Sequence, residues 1–279
     1  MALDTDLALE LFTDSKKRVA DICGASAYEY RYEHAEATLT EIDINDTAAA
    51  EIIGRPVGKY ITIEFDAPIY EYSPFYEERC GIVTDSLKKI CPETGAVLFA
   101  GLGNRFMTPD SIGPLASDRV FATAHICRYA DDIYTDELSE SFVLSAGVMS
   151  QTGIESSDLI KSVCSSNEIK RVIVCDALAC HEPSHMGKTI QLCSTGISPG
   201  SGVGNSRSEI SQNSLGIPVA AIGVPSVTRL MSDDPRFKEL IVTPKQIDKL
   251  AQRSAAMISD AVNMFLHPGF TREEIASFM

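Results

Sequence analysis

No stretch of apolar residues in this sequence is long enough to cross a bilayer, which excludes a helical membrane span. Basic residues are scarce: 24 Lys and Arg stand against 39 Asp and Glu, for a formal charge of −15 and a pI near 4.7. A surface of that sign repels phosphate backbones and anionic headgroups, so neither nucleic acid nor a membrane is an expected partner. The opening stretch Met1 to Asp14 holds Asp4, Asp6, Glu10 and Asp14 and no basic residue, the wrong charge for a secretory or transit peptide. A cytoplasmic location is expected. No two of the eight cysteines stand in a CxxC pair, and reduced thiols are the default in a chain without an export signal. Cys175, Cys180, His181, His185 and Cys193 include zinc-ligand types, but their spacing matches no ligand pattern. Small buried thiols and solvent-facing histidines are expected instead, with no metal and no cofactor. A GxSxG elbow is missing, and so is the third glycine of a dinucleotide fingerprint after Gly101 and Gly103, where Phe106 stands.

What is present suits one large core. At 279 residues and 44% hydrophobic content, the chain is read as a single domain over 1–279, with 1–60 as an amino-terminal segment packed on it. A short helical pattern lies near Leu7 to Leu11, and residues alternate over Ala37 to Ile44 and again over Lys59 to Phe65, as half-buried strands do. Ile82, Val83, Leu87, Ile90 and Cys91 recur at helical spacing. Apolar runs then alternate with helical stretches. Ala96 to Ala100 leads into Gly101-Leu102-Gly103-Asn104 and a helix predicted over Ser111 to Cys127; Arg171 to Cys175, Thr189 to Cys193 and Ile217 to Val224 follow. This is the pattern of an α/β fold with a mostly parallel sheet and helices on both faces. Thr243-Pro244 reads as a cap opening a last helix, which buries Ile247, Leu250, Met257, Ile258 and Phe265 and stops at His267-Pro268-Gly269.

In such sheets ligands bind at the carboxyl edge of the strands. Two of the runs deliver an acid there: Asp110 after the loop that follows Ala100, and Asp176 directly after Cys175. Two carboxylates at one edge can split their pKa values, one serving as base and the other as acid. Asp110 also precedes a helical stretch, and its spacing leaves capping and catalysis equally open. Asp176, ending a buried run, needs a donor, water or a partner, a cost usually met at functional sites. Asn104 lies in the first of these loops, and Gly200, Gly202, Gly204 and Asn205 form a glycine loop whose amides can approach a peptide closely; an ordinary surface turn is the competing reading. Glu155 and Glu209 are set aside as members of capping boxes begun by Thr152 and Ser206.

Taken in order, these motifs resemble the spore germination protease family. They are Thr5-Asp6-Leu7-Ala8, Gly101-Leu102-Gly103-Asn104, Thr108-Pro109-Asp110, Gly147-Val148-Met149, Thr152-Gly153-Ile154-Glu155, Asp176-Ala177-Leu178-Ala179, Thr195-Gly196-Ile197, Pro199 to Asn205 and Ala221-Ile222-Gly223-Val224-Pro225. The resemblance implies an unusual aspartic endopeptidase that initiates degradation of small acid-soluble spore proteins during germination, with catalytic aspartates at Asp110 and Asp176. It also implies a fold similar to the hydrogenase maturation peptidases, a homotetramer, and action in the spore core. Family members carry a short propeptide; only three residues precede Asp4, so such a propeptide is not expected here. Ser198 and Cys180-His181 depart from the family's usual residues. Two alternatives on the same fold are a metal-dependent maturation-type peptidase, with Asp110, Asp176 and His181 or His185 as ligands, and an inactive peptide-binding paralogue.

Overall fold

Three apolar runs, VLFAGL, RVIVC and VAAIGV, set the centre of the molecule, because each is too apolar to leave either of its faces in water. A computed structural model describes residues 4–19, 22–91, 94–129, 138–204, 207–230, 234, 237 and 240–279. In chain order its elements are α1 (Ala8–Arg18), β1 (Ala25–Tyr32), β2 (Ala37–Ile44), α2 (Thr47–Ile53), β3 (Gly58–Phe65), α3 (Tyr76–Ile90), β4 (Val97–Leu102), α4 (Ile112–Ser117), α5 (Ala124–Tyr129), β5 (Ser141–Gly147), α6 (Met149–Thr152), α7 (Ser156–Asn167), β6 (Arg171–Cys180), β7 (Thr189–Cys193), α8 (Gln212–Leu215), β8 (Val219–Arg229), β9 (Ile241–Val242), α9 (Ile247–Leu266) and α10 (Arg272–Phe278).

The strands form one twisted sheet in the order β1-β2-β3-β7-β8-β6-β4-β5, with β9 added beside β8. Pairing is parallel among β5, β4, β6 and β8 and antiparallel from β8 outward through β7, β3, β2 and β1. The parallel part is where strands alternate with helices in the sequence; the antiparallel part includes the alternating runs of β2 and β3. Successive side chains of β4 divide between the two faces. Val97 and Phe99 belong to the core layer under α3, α4 and α9, whereas Leu98, Ala100 and Leu102 belong to the opposite layer, under α1, α2 and α7. Helices therefore cover both faces, as the α/β pattern requires. Each fully buried Leu, Ile or Phe in these layers contributes roughly 1.5–3 kcal/mol.

Two helices differ from their sequence pattern. The stretch Ser111 to Cys127 is split into α4 and α5, because neighbouring elements take the intervening main-chain groups. Asn263 of α9 accepts from the Phe121 N–H (2.9 Å) and donates to the Arg119 carbonyl (2.9 Å), while the Thr123 N–H donates to the Ser141 carbonyl (3.0 Å). At the other end, α9 starts at Ile247 without a side-chain cap, and the Thr243 hydroxyl donates to the Pro244 carbonyl instead.

Helix α4 lies against β4 with no room for a side chain between them. A Cβ on Gly101 would sit 2.1 Å from the Gly113 carbonyl oxygen, and one on Gly113 would sit 2.2 Å from that of Leu102 and 2.6 Å from that of Cys175. Since both obstacles are main chain, Gly113→Ala is expected to lower unfolding stability by roughly 1–3 kcal/mol. Gly81→Ala, in the middle of α3 with nothing within 4 Å of the added carbon, is expected to raise it by roughly 0.5–1 kcal/mol. Urea titrations of the two variants check both signs.

Candidate active site

Strand β6 runs past its neighbour. Its pairing with β4 ends at Gly101 opposite Cys175, yet it continues to Cys180 along β8. Asp176 is thus inside a strand rather than after one, and it is the first residue beyond the β4 pairing. It is 5% exposed. Its partner across the ladder is Gly223, where a Cβ would lie 2.5 Å from the Asp176 carbonyl oxygen. Its carboxylate accepts the N–H of Ala177 at 2.9 Å.

Asp110 reaches the same edge by a tight return of the chain. Gly103, at φ +104, passes so close that a Cβ there would meet the Asp110 carbonyl oxygen at 2.1 Å. Asp110 closes a 3-10 turn, Thr108–Asp110, and its carboxylate accepts the Asn104 N–H at 2.8 Å. The Ser226 hydroxyl fixes the turn from β8 by donating to the Pro109 carbonyl (2.7 Å). Ser111, not Asp110, occupies the N-cap position of α4, so the capping reading of Asp110 does not hold.

Both acids open onto a cavity of about 520 Å³ at the carboxyl ends of β5, β4, β6 and β8. Its wall includes Asn104, Val148, Glu155, Ala177, Gly200 and Arg207. It also includes an acid that sequence reasoning passed over. Asp6 lies on the segment ahead of α1, which runs beside the overhang of β6: its N–H donates to the Ala179 carbonyl at 2.9 Å, and its carboxylate accepts the Ala179 N–H at 2.9 Å. The only sequence signal for it was its place in the Thr5-Asp6-Leu7-Ala8 motif.

Electrostatics separate the acids. Burial, then the nearby charges of Asp110 and Asp6, hold the Asp176 carboxyl well above the usual carboxylate range. Asp110 is also pushed up by burial, against the opposing hydrogen bond from Asn104. The stronger rise at Asp176 places a shared proton there in preference to Asp110.

Of the other residues singled out, Asn104 and Gly200 line the cavity, with Gly200 in the left-handed region at φ +75. Gly202 and Gly204 do not line it. Gly202 instead makes room for Asp6, whose carboxylate oxygen would be 2.4 Å from a Cβ there. Asn205 and Ser206 lie outside the described residues. The capping box predicted from Thr152 to Glu155 does not form. Gly153, at φ +72, ends α6, the Thr152 hydroxyl accepts from Ile154 and donates to nearby carbonyls, and Glu155 is left at the N-cap position of α7 facing the cavity. The box predicted from Ser206 to Glu209 begins outside the described residues; among those described, the capping pair at the start of α8 is Ser211 with Ser214. Cys175, Cys180 and Cys193 are buried free thiols. Among the described residues no three His, Cys, Asp or Glu side chains gather as a metal ion would need.

His185 is not solvent-facing. Its Nδ1 lies 2.6 Å from Glu10 and its Nε2 lies 3.3 Å from Glu64. The Glu10 carboxylate also accepts the N–H groups of His181 (2.7 Å) and Glu182 (2.9 Å) and the Thr5 hydroxyl. This knot ties the start of α1 to the turn after β6. Burial pushes the Glu10 carboxyl up, but the bonds from His185, Thr5 and the two amides outweigh it and leave it lowered. The two carboxylates hold His185 up at about 9.

The class to which this geometry belongs is fixed by comparison with known proteins: the chain is a peptidase. A germination protease profile (peptidase A25) matches residues 5–234, and the chain belongs to that family. The germination protease of Clostridium perfringens is 31% identical over 99% of this chain and 98% of its own. That of Caldanaerobacter subterraneus subsp. tengcongensis is 33% identical over 99% and 97%, and that of Bacillus cytotoxicus 35% identical over 83% and 64%. Among solved structures, the NiFe hydrogenase maturation protease HycI of Thermococcus kodakarensis aligns with 63% of this chain and 98% of its own at 16% identity and a TM-score of 0.36. No helix among the described residues is long and apolar enough to cross a membrane.

Two stability measurements follow from these titrations. Because the folded His185 pKa is raised to about 9 from 6.5, its contribution, up to roughly 3 kcal/mol, is complete below pH 6.5 and lost as pH rises through 9. His185→Gln is expected to lose that slope in denaturant titrations between pH 6.5 and 10. Asp176 shifts stability in the same direction, as a cost rather than a lost gain: a raised carboxyl pKa means that ionisation opposes folding as pH rises above 3.8. Asp176→Asn is therefore expected to be roughly 0.5–2 kcal/mol more stable than the parent at pH 7, read from the same titrations.

Proposed function

We propose that this germination protease family member is an endopeptidase that starts the degradation of small acid-soluble spore proteins, with Asp110 and Asp176 as its working acid pair. The observation that carries the reading is the convergence of both acids, Asp176 buried and Asp110 half-buried, on one cavity at the carboxyl edge of the parallel strands, with Asp176 the more strongly held in its protonated form. The family supports a protein substrate in germinating spores; the small acid-soluble proteins are our assignment, as are the spore core as the location and a homotetramer as the assembly.

In the reaction, ionised Asp110 takes a proton from a water molecule whose oxygen attacks the peptide carbonyl carbon, and the C–N bond breaks as Asp176 delivers its proton to the leaving nitrogen. The new carboxyl and amine termini depart, and the proton passes back from Asp110 to Asp176 through the next water. The pair titrates as a unit, so the pH profile of kcat/KM is expected to be bell-shaped. Asn104 and the glycine loop at Gly200 face the cavity and are assigned to holding the peptide, with Gly202 and Gly204 shaping that loop. The open edge of β6 at Ala177 offers main-chain groups to an extended substrate.

Asp110→Asn and Asp176→Asn, each shown to be folded by circular dichroism, are expected to lower kcat/KM on a purified small acid-soluble spore protein by roughly 100- to 10,000-fold. Fragment masses from the parent reaction locate the bond that is cut. Cleavage by either variant at the parent's rate would overturn the assignment.

A further inference from the structure

The amino-terminal segment is anchored more heavily than a structural tie requires, and the excess falls on one carboxylate. Main chain alone fastens Asp6: its N–H donates to the Ala179 carbonyl (2.9 Å), and its carbonyl accepts from the Gln191 side-chain amide (2.7 Å). The side chain nevertheless commits both oxygens, one to the Ala179 N–H at 2.9 Å and the other to the Ser201 hydroxyl at 2.8 Å. It fits there only because residue 202 is glycine. A neutral Asn could hold the same neighbours without adding a negative charge to a cavity that already holds the buried Asp176 and the half-buried Asp110.

We propose that Asp6 is a positioning residue of the active site: its carboxylate ties the overhanging end of β6 to the glycine loop and closes the acid-lined cavity from the amino-terminal side. The inference rests on the acid-pair reading above. Asp176 leads directly into Ala177, Leu178 and Ala179, so fixing Ala179 fixes the strand that carries the acid. Fixing Ser201 fixes the loop that bears Gly200. Asp6 also acts through its field. Asp176 is faced by Asp110 from the 3-10 turn and Asp6 from the amino-terminal segment, with Cys175 beside it in the strand and Glu155 and Arg207 on the same cavity wall. Of these, Asp110 and Asp6 are the charges that raise Asp176.

The test compares the full-length parent with Asp6→Asn, Asp6→Glu and Asp176→Asn on a small acid-soluble spore protein across pH. Asp6→Asn is expected to lose roughly ten- to a hundredfold in kcat, with a smaller change in KM, and to move the alkaline limb of kcat/KM to lower pH. Asp6→Glu, which keeps the charge, is expected to return that limb toward the parent's. A purely structural role for Asp6 would lower the rate without moving the limb. If Asp6→Asn does not fold, Asp6→Ser, which keeps a hydroxyl acceptor without the charge, serves in its place. An alkaline limb that superimposes on the parent's in the uncharged variant overturns the inference. The two readings fail separately: the acid pair fails on Asp176→Asn, which keeps Asp6, and the positioning role fails on Asp6→Asn, which keeps the pair.

Discussion

Five residues of β6, Asp176 to Cys180, extend beyond the last residue paired with β4 while remaining bonded to β8, and the site is built on that overhang. A strand held on one side only keeps its backbone straight and its side chains fixed, yet offers a free edge to whatever lies alongside. At Ala179 the chain's own amino-terminal segment takes that edge. At Ala177 it faces the cavity. Asp176, at the root of the overhang, is buried as core but borders the cavity. The close approach of α4 to β4 through Gly101 and Gly113 brings the turn bearing Asp110 onto the same edge.

Placing acids there opposes stability. Each carboxylate loses water, and the like charges repel, so the site holds a proton at a pH where an exposed aspartate would have lost it. That cost is met by the surrounding layers of aliphatic side chains and by ties that lie outside the cavity. The Glu10–His185–Glu64 knot is the clearest of these, because it fastens the start of α1 next to the point where Asp6 touches β6. The buried acid and the knot that holds the strand are thus neighbours, and because both His185 and Asp176 bind a proton more tightly in the folded protein, both lose stability as pH rises.

Much of the sheet was legible in the sequence. The alternation over Ala37 to Ile44 and the run Thr189 to Cys193 coincide with β2 and β7, because a side chain's face follows directly from its position in a strand. The aspartates at the carboxyl edge were legible for the same reason. The overhang was not: Asp176 looks like the end of an apolar run, and only Gly223 on another strand lets the ladder continue past it. Asp6 was passed over and His185 misjudged because their partners lie more than 120 positions away in the chain. Glu155 matched a capping pattern, but a left-handed Gly153 diverts the chain and frees that acid to face the cavity. Local patterns described the elements; contacts between distant segments decided which polar side chains work.

The proposed acid pair requires that Asp176, buried beside Asp110 and Asp6, keep its proton at neutral pH. Carbon-13 NMR of the side-chain carboxyls, with the Asp176 signal assigned by its loss in Asp176→Asn, measures this directly in the unmutated protein. A resonance still in the protonated position at pH 7 is the predicted result. An Asp176 carboxyl fully ionised by pH 5 would contradict the account.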